Sequence, residues 1–186
     1  MNITQALPTD APAIARLIMQ AMTDECCQNL AGKRNTLNDF RNMMTLLVEK
    51  DDSQYSYRNT LVARTPEGDV AGICVAYDGN DLCRLRRRFI QQAALQLDRD
   101  FSHMPDETQA GELYIDSLAV DHRFRRQGIA TALLQAAIEK AKQAGMPAGL
   151  LVDKGNPDAE KLYEKVGFKY VNDTTWAGHE MRHLQK

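Results

Sequence analysis

The sequence predicts an α+β protein, a single domain built on a mixed sheet. Segments with strand-like and helix-like hydrophobic spacing follow one another in the order β-α-α-β-β-(α)-β-α-β-α-β-β. No linker, internal repeat or low-complexity segment divides the chain. Its 186 residues, 44% hydrophobic and 26% charged, suffice for one sizeable core. We therefore expect one domain spanning residues 1–186.

The first third of the chain predicts one strand and two helices. Residues 2–7 alternate like a short strand, and a helix follows with Thr9 or Asp10 as its cap. The polar segment 23–35 gives no clear pattern. A second helix is marked by four apolar residues at helical spacing, Phe40, Met43, Met44 and Leu47.

The middle of the chain predicts a hairpin followed by an inserted helix. Residues 60–65 and 70–78 are apolar, strand-like runs joined by the turn sequence PEGD. An apolar stripe then predicts a helix within an insertion at about 80–110, formed by Leu82, Leu85, Phe89, Ala93 and Leu97. Residues 98–111 are polar and predict a loop.

The last third predicts alternating strands and helices. Residues 112–120 form a strand, and 126–144 an amphipathic helix that ends at Gly145 and Pro147. Residues 148–153 are a short apolar strand. The segment 156–167 has Asn156 as cap, proline at its first position and glycine after its end, as is typical of a helix. A final strand pair is predicted over 168–184.

The helix that begins near "RRQGIA", Arg125 to Ala130, lacks the Ser, Thr, Asp or Asn that usually caps a helix. Two arginines lie instead where the helix dipole disfavours positive charge. Free N–H groups at such an end bind anions, and Gly128 lets a ligand approach the backbone. The sequence thus favours a phosphate site, the alternative being a solvated, poorly capped helix end. No G-x-G-x-x-G or G-x-x-x-x-G-K-[ST] pattern is present.

Two segments carry a family resemblance. "SLAVDHRFRRQGIATALL" resembles motif A of the GNAT superfamily of N-acetyltransferases, [RQ]-x-x-G-x-[GA], through Arg125, Gly128 and Ala130. "NPDAEKLYEKVGF" resembles motif B, with Asn156, Ala159, Leu162, Tyr163, Gly167 and Phe168 in place. The resemblance covers residues 112–170 and is topological for 1–78. It implies a GNAT-like mixed, mostly antiparallel central sheet flanked by helices.

The resemblance implies acetyl-CoA as cosubstrate and no metal. Its pyrophosphate would lie on the N–H groups of residues 127–130, and its pantetheine arm between the strands at 112–120 and 148–153. Backbone groups of Leu118 and Val120 would pair with that arm. The implied binding residues are Leu118, Ala119, Val120, Arg125, Arg126, Gln127, Gly128, Ile129, Ala130, Thr131, Asn156, Ala159 and Tyr163.

Acetyl transfer to an amine needs a base for the amine and an acid for the leaving thiolate. The resemblance implies Tyr163 as the acid, whereas its helical stripe with Ala159 and Leu162 would equally suit a core residue. Asp116 and Glu112 are the base candidates in the strand. Alternatively, Asp116 bonds to backbone at a bulge, Glu112 begins the strand in solvent, and the base is another group or bulk water.

The function predicted from these features is direct transfer of an acetyl group from acetyl-CoA to a primary amine. A non-catalytic CoA-binding sensor or interaction module on the same fold is the alternative. The acceptor is a small molecule or peptide that the sequence does not identify. The acids of the 98–111 loop could attract a cation, or form an ordinary polar surface: Asp98, Asp100, Asp106 and Glu107.

Charge, apolar runs, cysteines and histidines indicate which partners and which location to expect for the protein. A net charge of −2 and the solvated face expected for "RLRRR" (84–88) argue against nucleic acid. No apolar run approaches the ~20 residues of a membrane helix, and no secretory signal is visible. We expect a cytoplasmic protein with four reduced cysteines. His179 and His183 lack a further metal ligand nearby. The terminal strands could support a homodimer.

Overall fold

The computed structural model describes residues 1–186 and contains seven strands and six α-helices. The strands are β1 (Asn2–Gln5), β2 (Thr60–Arg64), β3 (Val70–Asp78), β4 (Leu113–Val120), β5 (Ala148–Asp153), β6 (Lys169–Trp176) and β7 (His179–Gln185). The helices are α1 (Ala11–Met22), α2 (Asp24–Ala31), α3 (Leu37–Glu49), α4 (Leu82–Leu97), α5 (Ile129–Gln143) and α6 (Pro157–Val166).

All seven strands form one sheet in the order β1-β2-β3-β4-β5-β7-β6. Only β4 and β5 are parallel, and every other neighbouring pair is antiparallel. The prediction of a mixed, mostly antiparallel sheet flanked by helices is therefore confirmed.

Helices cover both faces of the sheet. On one face α1, α2, α3 and α4 pack their apolar stripes against β2, β3 and β4, and on the other α5 and α6 do so. Strand β3 is buried along nearly its whole length and alternates between the two cores. Ile73 and Val75 belong to the first, and Cys74 and Ala76 to the second. Strands β3 and β4 thus lie at the centre of the molecule, fixed from both sides.

The segment without a clear pattern, 23–35, contains a helix that the sequence did not predict. The Thr23 hydroxyl caps α2 by accepting a hydrogen bond from the Cys26 N–H. Only Cys27 and Ala31 are buried on this helix, one turn apart. So narrow a stripe is too short for hydrophobic periodicity to detect. Three helices, rather than the predicted two, therefore connect β1 to β2.

The remaining elements match their predictions within a few residues. The helix predicted between the hairpin and the central strand is α4, which ends with Asp98 in the left-handed conformation. Helix α5 begins at Ile129, three residues later than the predicted 126. No helix in the structure combines the length and the apolar character needed to cross a membrane.

Candidate active site

The two parallel strands separate after a short paired segment and form a fork. Residues 113–115 of β4 pair with residues 148–150 of β5, and the pairing stops at Ile115 and Leu150. The rest of β4 remains paired with β3 as far as Val120. One edge of β4 therefore has no strand beside it from Asp116 onward, so backbone groups there lack strand partners that a ligand could supply.

The hydrogen-bond pattern shows which residues face this open edge. The Asp121 N–H donates to the Ala71 carbonyl at 2.9 Å, where β4 ends against β3. Residues of an antiparallel strand bond alternately to one neighbour and to the opposite side. The backbone groups of Ala119 thus belong to the β3 ladder, whereas those of Leu118 and Val120 point toward the fork. Backbone pairing with pantetheine was expected for Leu118 and Val120, the two residues that face the fork, and the Ala119 backbone groups face away from it.

The start of α5 combines two left-handed residues with free N–H groups. Arg126 has φ 63° and Gly128, the N-cap, has φ 79°. No side chain caps the helix, and its first internal bond runs from the Ala132 N–H to the Gly128 carbonyl. The N–H groups of residues 129–131 therefore lack helical partners. Helix ends of this kind bind anions, as expected from the sequence.

The side chains around this helix start leave it open and positively charged. Arg125, Arg126 and Gln127 are exposed, and Thr131 is half-buried. A Cβ atom added at Gly128 would meet nothing within 4 Å. A bulky or acidic side chain there would project into the open space above the helix start, where a ligand would sit.

The loop before α5 is anchored to the body of the protein by a buried carboxylate. Asp121 is 1% exposed and accepts hydrogen bonds from Arg16 of α1 at 2.8 Å and from Arg123. These hydrogen bonds, with Arg123 making the largest contribution, hold the pKa of Asp121 far below its usual range. The Gln20 amide also donates to the Val120 carbonyl at 3.0 Å. Helix α1 thus fixes the end of β4 and the beginning of the loop.

Tyr163 lies on α6, the helix that follows β5, and packs against the core formed by α5 with β3, β4 and β5. Asn156 caps this helix by accepting from the Ala159 N–H at 3.2 Å. The Tyr163 ring is half-buried and packs edge-on against Phe168, with the ring centroids 6.0 Å apart. Burial, with a smaller effect of the Cys74 thiol, raises the pKa of Tyr163 to about 12. The hydroxyl is therefore protonated at neutral pH, as an acid must be.

Asp116 occupies a β-bulge at the branch point of the fork. The β3–β4 register shifts between Val75, which pairs with Ser117, and Ala76, which pairs with Ile115, so Asp116 is the extra residue. The residue is half-buried, and its carboxylate accepts from the Ser117 hydroxyl at 2.8 Å. Burial raises the pKa of Asp116 against the opposing effect of its hydrogen bonds. Its contact with Tyr77, which packs against Tyr114, places Asp116 on the same face of β4 as Tyr114.

The sequence did not identify a second carboxylate that lies beside Asp116. Glu107, from the loop before β4, is 8% exposed and accepts from Arg86 at 2.7 Å. The Tyr77 hydroxyl lies 3.0 Å from Glu107 and 3.2 Å from Asp116, and the Gln54 amide nitrogen 3.2 and 3.3 Å from them. Burial, and then the nearby Asp116 charge, raise the pKa of Glu107 to about 7. Glu107 is therefore buried, and it does not belong to the ordinary polar surface that the sequence left open as an alternative for this loop.

Glu112 lies at the closed end of the fork, where β4 and β5 are paired. It is 2% exposed and accepts hydrogen bonds from His183 and Gln185 of β7, both at 2.8 Å, and from Thr108 at 2.5 Å. A Cβ on Gly149 would lie 1.9 Å from its Oε2 atom, so only glycine fits there. Although burial opposes it, these three hydrogen bonds lower the pKa of Glu112 below its ordinary value. Through these hydrogen bonds Glu112 links the start of β4 to β7. This structural role favours Asp116 rather than Glu112 as the base.

Replacing Glu112 by alanine is expected to cost about 3 kcal/mol of unfolding free energy at pH 7, because it leaves His183 buried without its partner. The lowered pKa means that Glu112 stabilises the fold above its ordinary value of 4.5, and that this contribution is lost as the pH falls through the folded-state pKa. Urea unfolding at pH 7 and pH 4 measures both effects, with the exposed Glu139→Ala as control. If Glu112→Ala instead kept its stability and lost its activity, Glu112 rather than Asp116 would be the base.

The two C-terminal histidines bind different carboxylates. His183 contacts Glu112, and His179 lies 2.9 Å from Asp153. The structure contains no group of three or more His, Cys, Asp or Glu side chains arranged to hold a metal ion.

Comparison with known proteins shows to which family this fold belongs, with its fork between two parallel strands beside a helix start that is open to anions. The family model of the "Acetyltransferase (GNAT) family" matches residues 35–168, well over half of the chain. The chain belongs to the GNAT acetyltransferase family, which places it among the acyltransferases.

Individual relatives support the same assignment. The acetyltransferase Atu2258 of Agrobacterium fabrum is 44% identical over 64 residues, which are 34% of this chain and 46% of that protein. The matched segment therefore spans less than half the length of this curated relative. A crystal structure of an acetyltransferase is 33% identical, with TM-score 0.83 over 100% of this chain and 98% of its own.

A more distant neighbour shares only the fold. The crystal structure of the NatC complex bound to Gag peptide and CoA is 17% identical, with TM-score 0.56 over 100% of this chain and 98% of its own.

Proposed function

We propose that the protein binds acetyl-CoA and transfers its acetyl group directly to a primary amine. The observation that carries the proposal is the fork, with the open edge of β4 and the free N–H groups of residues 129–131 that follow it, together with Tyr163 on α6, the helix that follows β5. A ligand with an extended amide-containing arm, a pyrophosphate and a thioester has the groups that these three features would bind.

The helix start supplies the pyrophosphate site in this proposal. Its N–H groups and the positive end of the helix dipole stabilise phosphate oxygens, and Arg125 and Arg126 add charge-assisted hydrogen bonds. The exposed, uncapped condition of this helix end supports that role. The Leu118 backbone groups and the Val120 N–H, which face the fork, pair with the pantetheine arm as a neighbouring strand would, whereas the Val120 carbonyl already accepts from Gln20.

The reaction needs two proton transfers, and the fork holds a group for each. Asp116, at the branch point, accepts a proton from the acceptor amine, whose ordinary pKa of about 10.4 keeps it protonated at neutral pH. Tyr163 donates its proton to the leaving thiolate and regains one from the nitrogen of the new amide bond. None of the four cysteines forms an acetyl-enzyme in this scheme, which is direct transfer.

Turnover distinguishes this function from the non-catalytic CoA-binding sensor. We expect release of free CoA, detected with a thiol reagent, when acetyl-CoA is mixed with a panel of primary amines. Binding of acetyl-CoA without release of CoA above the hydrolysis background, on every amine tested, would favour the sensor. The same panel at several pH values identifies the acceptor class.

A further inference from the structure

Glu107 and Asp116 form a carboxyl pair held by shared donors. The Tyr77 hydroxyl and the Gln54 amide nitrogen each lie within 3.3 Å of one oxygen of both carboxyl groups. Arg86 fixes the second oxygen of Glu107 at 2.7 Å. These five residues come from five separate parts of the chain, so the fold rather than local sequence creates the pair.

A count of hydrogens indicates that the pair can hold a proton. The Tyr77 hydroxyl has one hydrogen and can donate to only one carboxyl group at a time. The other carboxyl oxygen then faces a lone pair of the hydroxyl. A proton on that carboxyl converts the contact into a hydrogen bond, giving a chain from Glu107 through Tyr77 to Asp116. One added proton therefore completes the network.

An independent observation points to a ligand that donates hydrogens. Gln54 is 3% exposed, and its Oε1 atom is buried without a hydrogen-bond partner. That oxygen belongs to the same amide whose nitrogen contacts both carboxyl groups, so it lies beside the pair. A buried carbonyl without a donor is costly. An ammonium group has three donors and no acceptor, which complements two carboxyl groups and this oxygen.

Resting on the acetyl-transfer function proposed above, we propose that Glu107 and Asp116 act as one base that binds the acceptor as a primary ammonium ion and takes its proton. Asp116 is half-buried at the branch point of the fork and meets the acceptor. Glu107, held by Arg86 behind it, is the proton reservoir and acts through Tyr77.

The step balances as a proton transfer. An N–H bond of the ammonium ion breaks, its electron pair stays on nitrogen, and an O–H bond forms on the ionised carboxyl pair. The free amine then attacks the thioester carbon, and the C–S bond breaks. Tyr163 protonates the leaving thiolate and regains a proton from the attacking nitrogen, which keeps one hydrogen in the new amide. The pair returns its proton to solvent before the next turnover.

The pH dependence follows from the groups around the pair. They come from the segment before β2, from β3, from α4 and its following loop, and from β4: Gln54, Tyr55, Tyr77, Arg86, Asp106, Tyr114 and Ser117. The ionised pair is the active form, so kcat/KM for an ammonium substrate rises with pH through the titration of the pair. Burial and mutual repulsion place that titration near pH 7, where the pKa of Glu107 is raised to about 7.

Carbon-13 NMR of the carboxyl groups tests the shared proton without any substrate. In the wild-type protein we expect one titration near pH 7 that is visible at the carboxyl carbons of both Glu107 and Asp116. Tyr77→Phe keeps the ring and removes the connecting hydroxyl, so the two carboxyl groups should then titrate separately. Titration of every carboxyl group in the wild-type protein below about pH 5, in the ordinary carboxyl range, overturns the proposal.

Kinetics with ethylamine and 2,2,2-trifluoroethylamine test the role in the reaction. The two amines have nearly the same shape, but the fluorinated one is mainly unprotonated at neutral pH and needs no base. Glu107→Gln should lower kcat/KM for ethylamine roughly tenfold or more and move its pH inflection to lower pH, while affecting trifluoroethylamine little. Asp106→Asn is the matched control, because Asp106 also contacts Arg86 but its side chain is 60% exposed.

The outcomes separate the two proposals. Equal loss with both amines, or an unmoved pH inflection in Glu107→Gln, contradicts the paired base and leaves Glu107 as a structural residue. No CoA release from either amine, with the shared titration intact, contradicts acetyl transfer to small amines while the shared proton stands.

Discussion

Arg125→Glu combined with Gly128→Glu is expected to abolish acetyl-CoA binding while the fold stays intact. The first change reverses a charge beside the free N–H groups of α5, and the second places a carboxylate in the open space above them. Each lost charge-assisted hydrogen bond is worth about 1.5–3 kcal/mol, so affinity should fall at least a hundredfold. Isothermal titration calorimetry measures the affinity, and circular dichroism verifies the fold.

The matched control is Arg87→Glu combined with Gly68→Glu. Arg87 is exposed, and Gly68 has φ 96° with nothing within 4 Å of an added Cβ. The control therefore makes the same charge change and imposes a similar backbone strain away from the fork. Unchanged affinity in the Arg125 and Gly128 variant, or an equal loss in the control, would contradict the phosphate site.

Tyr163→Phe is expected to lower kcat by roughly a hundredfold or more with little change in the affinity for acetyl-CoA. Phenylalanine keeps the edge-on packing against Phe168 and removes only the hydroxyl that protonates the thiolate. Because burial keeps the pKa of Tyr163 at about 12, the hydroxyl remains a proton donor throughout the neutral range. Steady-state release of CoA gives kcat, and calorimetry gives the affinity.

Tyr170→Phe serves as the control, since Tyr170 is 59% exposed on the edge strand β6. Wild-type turnover by Tyr163→Phe would make Tyr163 a packing residue of α6. The helical spacing of Tyr163 with Ala159 and Leu162, which also pack against the core, is consistent with that alternative.

Sequence patterns predicted most of the fold because most elements bury a wide apolar face. Strand β3 is a continuous run of buried residues, and helix α5 buries residues at helical spacing along its length. Both hydrophobic patterns are easily detected in the sequence. Helix α2 was missed because Cys27 and Ala31 are its only buried residues. The start of α5 was predicted three residues early, because left-handed Arg126 and Gly128 precede the first helical residue.

The site was predictable where it depends on local motifs and unpredictable where it depends on the fold. The arginine- and glycine-containing helix start and Tyr163 lie within contiguous motifs. The carboxyl pair unites Gln54, Tyr77, Arg86, Glu107 and Asp116, which are distant in the chain. Glu107 was noted only as one acid of a polar loop, and no spacing rule separates it from exposed Asp106.

The most direct test of the account is calorimetric titration of the purified protein with acetyl-CoA, since every proposed step requires that ligand in the fork. We expect saturable binding of one molecule per chain. Desulfo-CoA, which retains the pyrophosphate, should compete for the same site, and dephosphorylated pantetheine should bind far more weakly. Absence of any binding heat at millimolar acetyl-CoA would contradict the account.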